Sequence, residues 1–285
     1  MKIILVSVGN FQEYILDNIK NLLLFNNNDI VVITNKDFFY NFNNYSVTLI
    51  DCNELSDNNF NINSQLDKGF RNGFWHYCSL RLFYVHSYIK QNNLNECIHL
   101  ENDVLTYINF EDIKSNFKEN KVYATFDCET RVIPGIIYIP NYKSFESIID
   151  KYNFNINDME NLAKFNESII LPFPIFPIIN GNIVKFNKLY FDFNMIFDAA
   201  AIGQYLGGVD PRNQNGDTKG FVNETCVIKY NKYKFEWIKI NNLFIPHLII
   251  GTNKYKMCNL HIHSKNLINF LADNPQEDFL IKFNN

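Results

Sequence analysis

Cys97-Ile98-His99-Leu100-Glu101-Asn102-Asp103-Val104-Leu105 is a short apolar run that passes directly into two carboxylates separated by one residue. Two such charges would be costly in a core, but at the end of a strand they can converge on a hard cation. Mg or Mn held there keeps open positions for phosphate oxygens. An ordinary acidic turn after a strand has the same composition, so the reading needs support from elsewhere in the chain.

Upstream of this stretch, Lys2 to Val8 is a β-branched run that ends in Gly9-Asn10. Phe11, Tyr14, Ile15, Ile19, Leu22 and Leu23 then recur at helical spacing, which predicts strand, turn and helix. Asp29 to Thr34 and Tyr45 to Cys52 read as two more strands, with room for only a brief helix between them. From Gly73 to Gln91 a longer helical period precedes the Asn92-Asn93 break and the strand 97–100. Right-handed crossovers onto one parallel sheet would bring Gly9, Thr34 and Glu101 to its carboxyl edge, where open α/β sheets bind ligands.

Past Tyr123 the strands crowd together, as in Val122 to Phe126 and Gly135 to Ile139, and predict a mixed or antiparallel half. Helices are expected from Asp198 to Leu206 and again after Ser264. With no low-complexity linker and no internal repeat, residues 1–285 read as one domain. It comprises a nucleotide-binding half, 1–120, and an acceptor-side half, 121–285.

Composition narrows the partners. Hydrophobic residues make up 47% of the 285, with 27 Phe and 16 Tyr, enough for a substantial core. A net charge of -4, with both signs mixed along the chain, argues against nucleic acid. No apolar run approaches the roughly 20 residues of a membrane span, and Ile3-Ile4-Leu5-Val6 is too short for a signal-peptide core, so a cytoplasmic location is expected. Six scattered cysteines without a Cys-x-x-Cys pair read as reduced core thiols. Asn is abundant together with Lys, Ile, Phe and Tyr, a bias attributed to an AT-rich coding genome and given no chemistry; the glycosylation-like triplets at Asn44, Asn166 and Asn223 are set aside as chance.

A second metal-binding element lies late in the chain. In Leu260-His261-Ile262-His263-Ser264-Lys265, strand alternation projects both imidazoles to one face, where either can bind metal.

These segments together resemble the GT-A glycosyltransferases, in element order over most of the chain. That family carries an Asp-x-Asp motif at a strand end, preceded by a helix bearing an Arg. Here Phe74-Trp75-His76-Tyr77-Cys78-Ser79-Leu80-Arg81-Leu82-Phe83-Tyr84 is similar to the helix and Glu101-Asn102-Asp103 to the motif, with Glu in place of the first Asp. The resemblance implies an α/β, Rossmann-like nucleotide-diphospho-sugar transferase fold with a mixed central sheet flanked by helices. It implies Asp103 as a direct ligand of Mn2+ or Mg2+, and Glu101 at the ribose or at the metal through water. Asn102 would line the same donor site. His261 or His263 would be the late metal ligand and Lys265 would meet the diphosphate. Arg81 would face the phosphate or sugar, or else sit on the helix surface, and Trp75 and Tyr77 read as core aromatics.

By topology, Val8, Gly9 and Asn10, with Thr34 and Asn35, would line the nucleoside pocket. The resemblance favours a UDP-linked hexose as donor and a glycan or protein hydroxyl as acceptor. A carboxylate to deprotonate that hydroxyl is sought at Asp198, equally readable as a helix N-cap, or at Asp210 in a Gly-rich stretch. Two rivals stand beside this reading. A sugar-phosphate nucleotidyltransferase would need a Gly-rich basic loop after the first strand, where this chain has Gly9-Asn10-Phe11-Gln12. A non-catalytic binding protein on a degenerate GT-A fold would need no metal site.

Overall fold

The computed structural model describes residues 1–55, 58–203, 206 and 226–276. Strands β1 (Lys2–Ser7) and β2 (Ile30–Thr34) are almost wholly apolar and buried, as expected of parallel strands covered on both faces. Between them runs α1 (Ile15–Leu24), and after β2 comes β3 (Thr48–Asp51). The helix predicted over 73–91 is α3 (Phe74–Gln91), which follows a short α2 (Asn58–Asn63) and leads into β4 (Asn95–Leu100).

Strands β6 (Val122–Cys128), β7 (Arg131–Asn141) and β8 (Ile170–Pro172) complete the main sheet, in the order β3-β2-β1-β4-β7-β6-β8. Strands β1 to β4 are parallel, whereas β7 runs antiparallel to β4 and β6. The molecule is therefore an α/β protein with a mixed central sheet flanked by helices. Helices α4 (Tyr142–Ile149) and α5 (Asp158–Ala163) lie between β7 and β8.

Strand alternation decides what surrounds the acidic turn. Ile98 and Leu100 pack with Ile15 and Ile19 of α1, while Cys97 packs with Leu82, Val85 and Ile89 of α3 on the opposite face. His99 shares the α3 face by the same alternation, so β4 delivers Glu101 to the sheet edge between the two helices. All six cysteines are free thiols.

Two expected helices are not formed among the described residues. Residues 198–203 bend, because the Asp198 carboxylate accepts the N–H groups of Ala201, Ile202 and Gly203 and competes with a helical ladder. After Ser264 there is only a 3-10 turn, Leu267–Phe270. A separate antiparallel sheet, β9 (Lys234–Ile240), β10 (Leu243–Ile250) and β11 (Asn253–Lys256), adds to the second half. Among the described residues no helix is long and apolar enough to cross a membrane.

The asparagines include structural ones, against the compositional reading. Asn18 on α1 donates its amide to the carbonyls of Glu101 and Asn102, Asn21 to Thr106, and Asn27 beyond the helix to Ile108. All three are buried. They anchor the segment that carries the carboxylates.

Candidate cation and diphosphate site

The chain turns after Glu101 and continues as β5 (Val104–Thr106), which pairs antiparallel with β12 (Asn259–His261) and sets His261 opposite Val104. The Ile262 N–H donates to the Asp103 carbonyl at 2.9 Å and prolongs the pairing. This ladder joins the two distant elements. His261 Nε2 lies 3.1 Å from Glu101 Oε2 and 3.2 Å from Asp103 Oδ1. One ligand atom from each of the three residues fits within 4.8 Å of the others.

Two glycines make room for His261, one beside its ring and one beside its backbone. A Cβ on Gly135 would stand 2.9 Å from His261 Nδ1, and one on Gly203 only 1.8 Å from the His261 carbonyl oxygen. Asp198, 1% exposed, ties the arrangement together, since it accepts the His261 N–H at 3.0 Å as well as the three amides of its own loop.

Charge is balanced locally. Burial alone would raise the Asp103 carboxyl, but Lys265, ion-paired with it, and His261 hold it well below the usual carboxylate range. Burial would lower His261, and Asp103 and Glu101 reverse this and raise it. His263 stays neutral, pushed down to about 3 by burial, with His261 and Lys265 adding to the effect. Arg81 is ion-paired with Glu101 and sits 2.8 Å from Asp158 Oδ2.

The donor set suits a hard divalent cation: two carboxylates and one imidazole, already facing positive groups where a cation would supply the charge. His261 Nδ1 makes no hydrogen bond, beside the space that Gly135 leaves. Glu101, Asp103 and His261 would hold such an ion. The same residues line a cavity of about 560 Å3, into which Lys265, Arg81 and Trp75 also face.

Of the residues expected here, Val8, Asn10, Arg81, Glu101, Asn102, Asp103, His261, His263 and Lys265 line the cavity. His263 lies beyond the end of β12, and its ring centroid is 4.9 Å from that of His261; among the described residues, it is His261 that groups with the carboxylates. Thr34 is fully buried, with its hydroxyl bonded to the Ser7 carbonyl, and does not line the pocket. Asn35 acts on the backbone: its Oδ1 accepts the Gly9 N–H at 2.9 Å. Gly9 adopts φ +84°, with the Tyr77 ring against it, where a Cβ would come within 3.2 Å.

Asn102 is committed to the Val6 carbonyl at 2.8 Å and to Gln12. Asp198 does not reach the cavity, and both its oxygens are occupied, so the geometry favours a scaffold over the expected base. Asp210 lies outside the described residues. Trp75 is half-buried and Tyr77 is 39% exposed, so both stand on the cavity wall and not in the core. Arg81, its side chain 12% exposed, faces the cavity and its acidic partners and not an open helix surface. Asp158, which the sequence reading did not single out, lines the cavity through its contact with Arg81; Asn157 as N-cap of α5 was the only local signal nearby.

No protein-family model matches the chain, and no curated protein matches it. Several solved structures resemble part of it. The bifunctional glycosyltransferase WbbM, in its apo form, is 15% identical with a TM-score of 0.42 over 61% of this chain and 38% of that one. Galactosyltransferase LgtC, in complex with donor and acceptor sugar analogues, is 10% identical with a TM-score of 0.36 over 61% of this chain and 73% of that one. A putative glucose-1-phosphate thymidylyltransferase from Bacillus anthracis is 11% identical with a TM-score of 0.34 over 59% and 84%. This chain thus spans well under half the length of WbbM.

Proposed function

We propose that the protein is a GT-A-type glycosyltransferase that moves a hexose from a nucleotide sugar, UDP-linked by resemblance, to a hydroxyl of a glycan or protein. The observation that carries this reading is the meeting of His261 with Glu101 and Asp103 in a cavity that also presents Lys265 and Arg81. A Mn2+ or Mg2+ ion there would neutralise charge on a departing nucleoside diphosphate. Lys265 is placed to follow the same charge, because its ammonium already rests on Asp103.

Asn18 and Asp198 do not touch substrate in this reading. They hold the carboxylate turn and the His261 backbone in register, which keeps the anionic site preorganised. Trp75 and Tyr77 offer flat apolar surface to a ring of the substrate. With the Asp198 oxygens occupied, Asp210 remains the carboxylate to test as base for the acceptor hydroxyl.

Thermal stabilisation by UDP, GDP, CMP and ADP, each with and without Mn2+, tests the proposal. One nucleotide at about a hundred times its dissociation constant should add about 2.7 kcal/mol in the presence of metal. The increment should vanish in Asp103→Asn. Absence of any shift with every nucleotide and metal would favour a non-catalytic binding protein, and pyrophosphate release from a nucleoside triphosphate would favour a nucleotidyltransferase.

A further inference from the structure

The end of the main sheet opposite the candidate site carries a second cavity. Its volume is about 540 Å3, and residues at the ends of four adjacent strands line it. Asn95 opens β4 and pairs in register with Asn141, the last residue of β7. Asn120 and Ser168 stand in the turns just before β6 and β8. Four neighbouring strands span about 14 Å at the usual spacing of a sheet. Glu101 lies beyond the other end of β4, so the length of that strand, about 20 Å, separates the two cavities.

One level inward the same strands are apolar. Cys97 pairs with Ile139 and Val122 with Ile170, and all four are buried in one cluster with Phe145 and Ile148 of α4. Strand alternation sends Asn95 and Asn141 to that same face, where the apolar run gives way to side-chain amides. Asn141 Nδ2 donates to Asn120 Oδ1 at 3.0 Å, and Asn141 Oδ1 accepts the Ser144 N–H at 2.9 Å. These two bonds fix the middle amide. Asn93, Asn95 and Asn120 are exposed, and Ser144, Ser147 and the half-buried Tyr142 line the cavity from α4.

The chemistry of this lining selects a ligand. Carboxamides and hydroxyls each donate and accept, so the ligand that answers them does both at closely spaced positions. Among the described residues no carboxylate lines the cavity, which leaves a hard cation without charged ligands. Lys143 is the one cationic side chain among the described lining residues, so a polyanion would find a single partner across four strands. Tyr142 and Ile169 alone offer apolar surface there, too little for a hydrophobic ligand. A chain of uncharged sugar rings meets these requirements, with hydroxyls that donate and accept along its length and a C–H face to lie on Tyr142.

We propose that this cavity is a second site, specific for neutral glycans, that holds an uncharged oligosaccharide across the ends of β4, β7 and β6. Asn93, Asn95 and Asn120 read its hydroxyls, and Tyr142 supports a ring. Binding needs neither metal nor nucleotide and does not depend on the glycosyltransferase reading. Its benefit to turnover does rest on that reading: a glycan acceptor held here by a distant part of its chain would raise the local concentration of its reacting end.

The test uses the whole protein in EDTA, without nucleotide, on an array of immobilised neutral oligosaccharides built from glucose, galactose, mannose and N-acetylglucosamine. At least one should bind, and titration calorimetry with the same oligosaccharide in solution should give a dissociation constant of about 1 mM or tighter. Asn95→Ala and Tyr142→Ala should each weaken it about fivefold or more, the share of one hydrogen bond or ring contact. Asp103→Asn should leave it unchanged. In the wild type the oligosaccharide should shift the side-chain amide NMR signals of Asn93, Asn95 and Asn120, a result that needs no variant to fold. Absence of binding across the array overturns the site, as does binding that survives both substitutions or that Asp103→Asn weakens. Shifts of the same amides by inorganic phosphate and by no oligosaccharide would make it an anion site instead. Failure here leaves the donor site standing, because titration of nucleotides with Mn2+ tests that site separately.

Discussion

Nε2 of His261 stands 3.2 Å from Oδ1 of Asp103, although the two residues lie far apart in sequence, one in the turn before β5 and the other at the end of β12. The contact exists because β12 pairs with β5 immediately after the carboxylate turn. A single antiparallel ladder of three residue pairs thereby decides whether the acidic turn has an imidazole beside it.

Removal of one carboxylate should expose this dependence. Asp103→Asn should weaken Mn2+ binding by at least about tenfold, because it removes a ligand and leaves His261 and Lys265 facing a neutral amide. Titration calorimetry with Mn2+ alone reads the change. Equal affinity in the variant and the wild type would place the cation elsewhere.

Gly135→Ala tests the cradle separately from the ligands. The added methyl would stand 2.9 Å from His261 Nδ1, so the ring must shift away from the carboxylates or the strand must yield. Overpacking of this kind costs about 1–3 kcal/mol. A lower Mn2+ affinity with a native circular-dichroism spectrum is expected, and unchanged metal binding would show that the ring position is not limiting.

Asp198→Ala should destabilise the fold by at least about 3 kcal/mol, since four backbone N–H groups would lose their buried acceptor. Urea denaturation measures it. Loss of stability and of metal affinity together is the signature of a scaffold. A variant with full stability that fails only in turnover would return Asp198 to the role of base.

Stability should fall with acid in part through His247 on β10, which does not line the cavity. Burial lowers its pKa from the ordinary 6.5, and Lys256 adds to the effect although the Ile245 carbonyl opposes it. Below pH 6.5 the unfolded chain therefore binds a proton that the folded chain refuses, and stability declines as pH falls through that value toward the depressed folded one. One such group contributes a slope of up to about 1.4 kcal/mol per pH unit. His247→Gln should flatten the denaturation slope between pH 6.5 and 5 relative to the wild type, and identical slopes would contradict the assignment.

Asn18→Ala should loosen the carboxylate turn without touching a ligand. Its amide bridges the carbonyls of Glu101 and Asn102 at 3.1 and 3.2 Å, and the variant should lose about 1–3 kcal/mol and some Mn2+ affinity. Unchanged thermal stability would mean that solvent replaces these bonds.

Parts of this arrangement were visible in residue order. A buried strand ending in Glu101-Asn102-Asp103 is readable because charge after an apolar run must surface at an edge. The helix bearing Arg81 shows in its period, and the crossover order of β1 to β4 follows from short apolar runs separated by turns. Other parts misled. Ala199-Ala200-Ala201 favours a helix, yet Ala200 takes φ +54° because the neighbouring carboxylate captures the amides that a helix would use. Both imidazoles of the late segment do line one cavity, with ring centroids 4.9 Å apart, but residue order did not show that His261 is the one beside the carboxylates. An excess of asparagine concealed Asn18, Asn21 and Asn27, since composition carries no information about which ones are buried.

Local physics, then, determined the elements of the first half, the acidic turn at a strand end and the free thiols, because periodicity and the cost of burying charge act over a few residues. Which histidine meets Asp103, that Asp198 is consumed by backbone amides, and that Asp158 and His99 share a cavity with Arg81 were decided only in three dimensions. Each depends on long-range strand pairing, on hydrogen-bond satisfaction and on the clearance at Gly135 and Gly203, and none of these is a property of a short segment.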